Sequence, residues 1–129
     1  MDYYNNDNYK YSDITEKIIK SAINVHTKLG CGFQEVIYQR AMQKEMIKIG
    51  LKFDRELFMD IKYDDEVIGR RRVDFLVEDK ILVELKAIEK LENVHQVQLL
   101  NYIKIYNLEV GLLINFGAIG KVEIKRMVL

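Results

Sequence analysis

The chain has 129 residues, a length that suits one domain, and 49% of them are hydrophobic, enough to bury a single core. Charged residues make up 31% and cancel to a net charge of zero, so no overall basic field draws nucleic acid or a membrane surface, and any polyanion must meet a local patch. One cysteine, Cys31, and two histidines, His26 and His95, exclude a disulfide framework and a zinc-type ligand cluster; apolar runs such as "VGLLINF" are too short to span a bilayer and no charged-then-apolar segment opens the chain, so a cytoplasmic protein with no membrane partner is expected.

Residues 1–12, "MDYYNNDNYKYS", are rich in Asn, Asp and Tyr without apolar periodicity and read as a loose N-terminal arm; residues 13–129 read as one domain. Asp13 followed by Glu16 resembles a capping box, and Ile14, Ile18, Ala22, Val25 and Leu29 recur at helical spacing up to Gly30. After "GCGF" a second helix is predicted over residues 34–49, with Val36, Ala41, Met42, Met46 and Ile49 near one side and Gly50 as the stop. Gly30 and Gly32 follow a helix rather than a strand, and Glu35 stands where a third glycine would be, which rejects a dinucleotide loop.

From Leu51 the apolar period changes to two: "LKFDRELFMDIKY", an acidic turn "DDE", "VIGRRRVDFLV", a turn "EDK", then "ILVELKA". A helix follows over residues 92–106, and "VGLLINF" and "KVEIKRMVL" supply two last strands around "GAIG". The predicted order is α-α-β-β-β-α-β-β.

Three charges, Asp74, Glu84 and Lys86, interrupt the apolar strands. If the turn is the three residues Glu78-Asp79-Lys80, then Val77 faces Ile81, Phe75 faces Val83, and Asp74 lies opposite Glu84. That register also gathers Val73, Phe75, Val77, Ile81, Val83 and Leu85 on one apolar face, whereas a two-residue loop would send the carboxylates to opposite faces. Alternation places Arg70 and Arg72 on the Asp74 face and Arg71 on the other. Two opposed carboxylates with Cβ atoms about 5 Å apart repel unless something positive stands between them. A divalent ion such as Mg²⁺ suits two acidic side chains plus a main-chain carbonyl, that of Leu85, and Lys86 would then act on a water and on a phosphate. A solvated charged face in which Lys86 neutralises one carboxylate accounts for the same spacing.

The segment "VDFLVEDKILVELKA" resembles the core of the PD-(D/E)XK nuclease superfamily, and "GFQEVIY" supplies Gly32, Glu35 and Tyr38 of the small family named for its GxxExxY motif, which looks like a branch of it. The resemblance runs on through "VHQVQLLNYIKIYNLEVGLLINFG". It implies an α/β (α+β) restriction-endonuclease-like core, with a central mixed sheet in α-β-β-β-α-β order flanked by helices and one extra N-terminal helix. It implies that Asp74 and Glu84 hold Mg²⁺ or Mn²⁺, that Lys86 assists the attacking water, and that Glu35 joins the metal site. Gln98 and Tyr102 match a glutamine and tyrosine of exonuclease-like branches; both fall on one helix face. Tyr38, Arg70 and Arg72 stand with them as supporting or nucleic-acid-binding positions. The chain contains no proline, and Val73 stands where the superfamily's name has one.

The expected function is thus metal-dependent hydrolysis of phosphodiester bonds in nucleic acid, DNA first and RNA second. The alternative is an inactive nuclease-like module that binds nucleic acid or protein. A homodimer or a protein partner would supply the specificity that so small a surface lacks.

Overall fold

The computed structural model describes residues 10–129, so positions 1–9 of the expected arm lie outside the described residues. The last residues of that arm are docked rather than loose. Lys10 Nζ lies 2.7 Å from Glu109, and Tyr11 packs against the core beside the start of α1 (Ser12–Leu29). The N-cap is Tyr11, whose side chain makes no cap bond, so the capping box expected from Asp13 and Glu16 does not form. Asp13 is instead a first-turn acid, which the helix dipole favours.

The second helix, α2 (Glu35–Lys48), is turned relative to the expected phase. Its buried seam is Tyr38, Met42 and Met46, four residues apart, flanked by Gln39 and Glu45, while Val36 and Ile49 are exposed. Tyr38 sets this phase. It is 0% exposed, stacks on Phe116 with ring centroids 4.6 Å apart, donates its hydroxyl to the Gly30 carbonyl at 2.6 Å and accepts the Phe33 N–H at 3.2 Å. The "GCGF" junction is therefore pinned to the helix that follows it.

Three strands come next: β1 (Phe53–Tyr63), β2 (Glu66–Val77) and β3 (Ile81–Lys86). Asp64 and Asp65 both take positive φ, 50° and 64°, as a two-residue hairpin turn requires. After α3 (Asn93–Ile105) come β4 (Val110–Asn115) and β5 (Glu123–Val128). The sheet has five strands in the order β1-β2-β3-β4-β5; β3 and β4 are parallel, linked by α3, and the other neighbours are antiparallel. The predicted element order and the mixed sheet are both present.

One face of the sheet, with Phe75, Val77, Ile81, Val83, Leu85, Leu112 and Ile114, packs on α1 and α2; the other, with Leu76, Leu82 and Leu113, packs on α3 through Leu99 and Ile103. β3 is central and covered on both faces, which explains its unbroken apolar run apart from Glu84. Val73 departs from expectation. It joins Met59, Leu76 and Leu82 on the α3 face, while Phe75, two residues on, faces α2. Strict alternation would keep both on one face, so the β2 backbone rotates at the residue between them, Asp74. Glu56, across on β1, takes φ 57° and drops out of the pairing between Arg55↔Phe75 and Leu57↔Val73. Among the described residues no helix is long and apolar enough to cross a membrane.

Replacing Tyr38 by Phe keeps the stacked ring but leaves the Gly30 carbonyl and the Phe33 N–H without their shared partner. Urea denaturation should show a loss of about 1–3 kcal/mol, and backbone amide exchange around Gly30–Phe33 should quicken.

Candidate active site

The β2–β3 ladder begins at the turn, where Val77 pairs with Ile81 in the predicted register, and runs through Leu76/Leu82 to Phe75/Val83, where it stops. Beyond that pair the strands fork, and the carboxylates take over the contacts between them. The Asp74 N–H donates to Glu84 Oε1 at 3.0 Å, and the Leu85 N–H donates to Asp74 Oδ2 at 2.8 Å. Asp74 and Glu84 therefore adjoin each other, tied through main-chain donors rather than facing each other as a regular pair. Their remaining oxygens meet side chains: Gln39 Nε2 donates to Asp74 Oδ1 at 2.7 Å, and Arg71 Nη2 donates to Glu84 Oε2 at 3.3 Å.

Helix α2 brings Glu35 and Gln39 to this fork, one turn apart on one helix face. Gln39 is held in turn by Arg55, whose Nε donates to Gln39 Oε1 at 3.0 Å while its Nη1 donates to Gln43 at 2.8 Å. Glu35, Val36, Gln39, Glu56, Arg72 and Asp74 line a cleft of about 260 Å³ at the root of the β1–β2 hairpin.

All three acids have their pKa raised from the ordinary value. Burial, then the neighbouring Asp74 charge, pushes Glu84 up to about 7, against the pull of the Asp74 N–H, Arg71 and Lys86. Asp74 is raised by burial, opposed by the Leu85 N–H, Gln39, Lys86 and Arg71. Glu35, although its side chain reaches solvent, is raised by partial burial and then by Asp74, opposed by Lys86, Arg71 and Arg72. Asp74 is thus the charge that both glutamates feel, and Lys86 and Arg71 are cations that all three acids feel. Crowded, partly buried oxygen donors of one sign suit a hard divalent cation. Among the described residues no three His, Cys, Asp or Glu side chains close into a metal cage. An ion here would rest on the Asp74–Glu84 pair and fill its shell with water and main-chain oxygen.

The other predicted residues separate. Tyr102 reaches the fork indirectly, with its ring 5.3 Å beneath the Arg71 guanidinium, whereas Gln98 lies exposed on α3 one turn earlier. His95 accepts the Glu92 N–H through Nδ1 at 3.0 Å and caps its own helix. Tyr38 is corrected as a nucleic-acid contact and stays a structural support: its ring is sealed in the core and its hydroxyl is occupied by the Gly30 carbonyl. Arg70 is exposed and away from the cleft. It lies out along the hairpin, with Nε donating to Asp60 at 3.1 Å and its guanidinium over Phe58. Arg72 lines the cleft, with Nη1 3.6 Å from Glu56. Arg71, assigned by alternation to the far face, is the arginine that reaches Glu84, because the rotation at Asp74 breaks the alternation that assigned it. Gln39 was also missed; its spacing of four from Glu35 was the available signal.

A model of the PD-(D/E)XK nuclease superfamily matches residues 12–127, and the chain belongs to that superfamily. Among solved structures, the crystal structure of SSO0001 is similar, with a TM-score of 0.51 and 16% sequence identity, over 89% of this chain and 77% of that one. At that identity the likeness is one of fold, and it agrees with a restriction-endonuclease-like arrangement. No curated protein matches.

The raised acids fix the sign of a pH effect. A carboxyl whose pKa is higher in the folded than in the unfolded state stabilises below its unfolded value and loses that stabilisation as pH rises through the folded value. In EDTA, the melting temperature should therefore fall between about pH 4.5 and pH 7 as Glu84 ionises. Glu84→Gln should flatten that slope, and Mn²⁺ added at pH 7.5 should raise the parent's melting temperature.

Proposed function

We propose that this protein is a divalent-metal-dependent nuclease that hydrolyses phosphodiester bonds, with DNA as the first substrate and RNA as the second. The observation that carries the reading is the closed fork: two acids on adjacent strands, each with one oxygen clamped by a main-chain N–H, and Lys86 two residues beyond the second acid on the same strand. Such clamping holds the remaining oxygens in place before anything binds, which is how a site limits reorganisation during reaction.

In this reading Asp74 and Glu84 hold Mg²⁺ or Mn²⁺, with the Leu85 carbonyl and water completing the shell. When bound, the ion polarises the phosphodiester and makes a neighbouring water more acidic. The chain's own residues do the rest. Lys86 orients the attacking water and offsets charge growing on the phosphate. Glu35, at the cleft rim and with a raised pKa, takes up a proton or orients a water. Arg72, on the cleft wall, and Tyr102 with Gln98 on α3 approach the phosphate backbone. Residues 13–129 act as one nuclease-like domain in the cytoplasm, and a second copy or a protein partner supplies any sequence preference. Neutral net charge limits affinity without such help.

The test is incubation of the pure protein with single- and double-stranded DNA and RNA in Mg²⁺ or Mn²⁺. Asp74→Ala and Lys86→Ala should each slow hydrolysis by about 10²–10³-fold, and Glu35→Gln should slow it less. Equal rates for the parent and both alanine variants would sink the site. Retention of nucleic acid without hydrolysis, with no ion bound, would make the protein an inactive binding module.

A further inference from the structure

The four hydrogen bonds to the carboxylates of the fork are of two kinds. Main-chain N–H groups hold Asp74 Oδ2 and Glu84 Oε1, and these donors are fixed by the backbone of the two strands. Asp74 Oδ1 and Glu84 Oε2 are met by side chains, and these two oxygens are the ones an ion can claim. Gln39, on Asp74, makes a 2.7 Å bond and is anchored by Arg55. Arg71, on Glu84, is held loosely.

Four observations describe that loose hold. The Arg71–Glu84 contact is a single one of 3.3 Å, longer than the roughly 2.7–2.9 Å of a charge-assisted bond. The Nε of Arg71 is buried without a hydrogen-bond partner among the described residues. Arg55 by contrast has Nε on Gln39 at 3.0 Å and Nη1 on Gln43 at 2.8 Å, besides a contact to Glu56. Arg71 also rests over the Tyr102 ring at 5.3 Å, a face on which a guanidinium can slide without losing its attraction.

We propose that Arg71 is a placeholder cation: it neutralises Glu84 while the ion position is empty, yields Glu84 Oε2 to the incoming ion, and then, still supported by Tyr102, turns to the phosphate of the substrate. The inference rests on the nuclease reading and adds to it a phosphate-positioning residue that competes with the metal. A guanidinium suits both tasks, because its fork matches a carboxylate or a phosphate equally well.

The decisive measurement is Mn²⁺ binding by calorimetry or electron paramagnetic resonance, with no nucleic acid present. Arg71→Met removes the competitor, so the ion should bind about tenfold tighter than to the parent, the worth of one hydrogen bond to a charged group. Hydrolysis by the same variant at saturating Mn²⁺ should nevertheless fall by about 10²-fold. Arg71→Lys keeps the charge without the fork; it should bind Mn²⁺ like the parent and hydrolyse slowly. Opposite shifts in ion affinity and rate are what a merely structural arginine would not produce. Unchanged or weaker Mn²⁺ binding by Arg71→Met, with the parent still active, would overturn this inference alone. A parent that neither binds Mn²⁺ nor hydrolyses nucleic acid would overturn the nuclease reading, and the inference with it.

Discussion

The arrangement depends on two carboxylates held where the sheet comes apart. Asp74 and Glu84 would repel each other if they stood free in a partly buried site. Here each accepts a main-chain N–H from the region of the other strand, and those donors offset part of the burial that keeps both acids above their ordinary pKa. The offset is incomplete, as Glu84 at about 7 makes plain. A pair left short of positive charge in this way attracts cations, and Arg71 is the one whose side chain reaches it.

The fork itself follows from how β2 is covered. Phe75–Val77 are buried between β1 and a β3 covered on both faces, and there they pair regularly with β3. Upstream, β2 and β1 continue as a hairpin with exposed turns and no third strand, and nothing there demands the same face. The change of face falls on Asp74, between Val73 on α3 and Phe75 on α2. Opposite it, Glu56 leaves the ladder with a positive φ, a conformation costing about 1–3 kcal/mol that persists where its surroundings hold it. Irregular backbone and acidic cluster thus share one cause.

Helix α2 links the core to the site. Tyr38 and Met42 fix its rotation from the buried side, and that rotation puts Glu35 and Gln39 at the cleft. Tyr38 and Glu35, three residues apart on α2, do successive jobs: the ring locks the helix and the carboxyl then has a place to point. In this protein the tyrosine is the structural half of that pair.

Much of this was legible along the chain. The switch of apolar period at Leu51, the glycine stops, and the "EDK" turn determine the element order and the register of Val77 on Ile81, because spacing and turn chemistry act locally. The same register placed Asp74 near Glu84 and Lys86 on the strand of Glu84. What local pattern does not contain is the rotation of β2 at Asp74, which arises from two different helices claiming Val73 and Phe75. That rotation brought Arg71 to the fork and left Arg70 on the hairpin. In the same way, the seam of α2 was decided by Phe116, nearly eighty positions further along, whose ring claimed Tyr38 for the core. Tertiary packing decides which face each residue shows wherever two surfaces compete for one stretch of backbone.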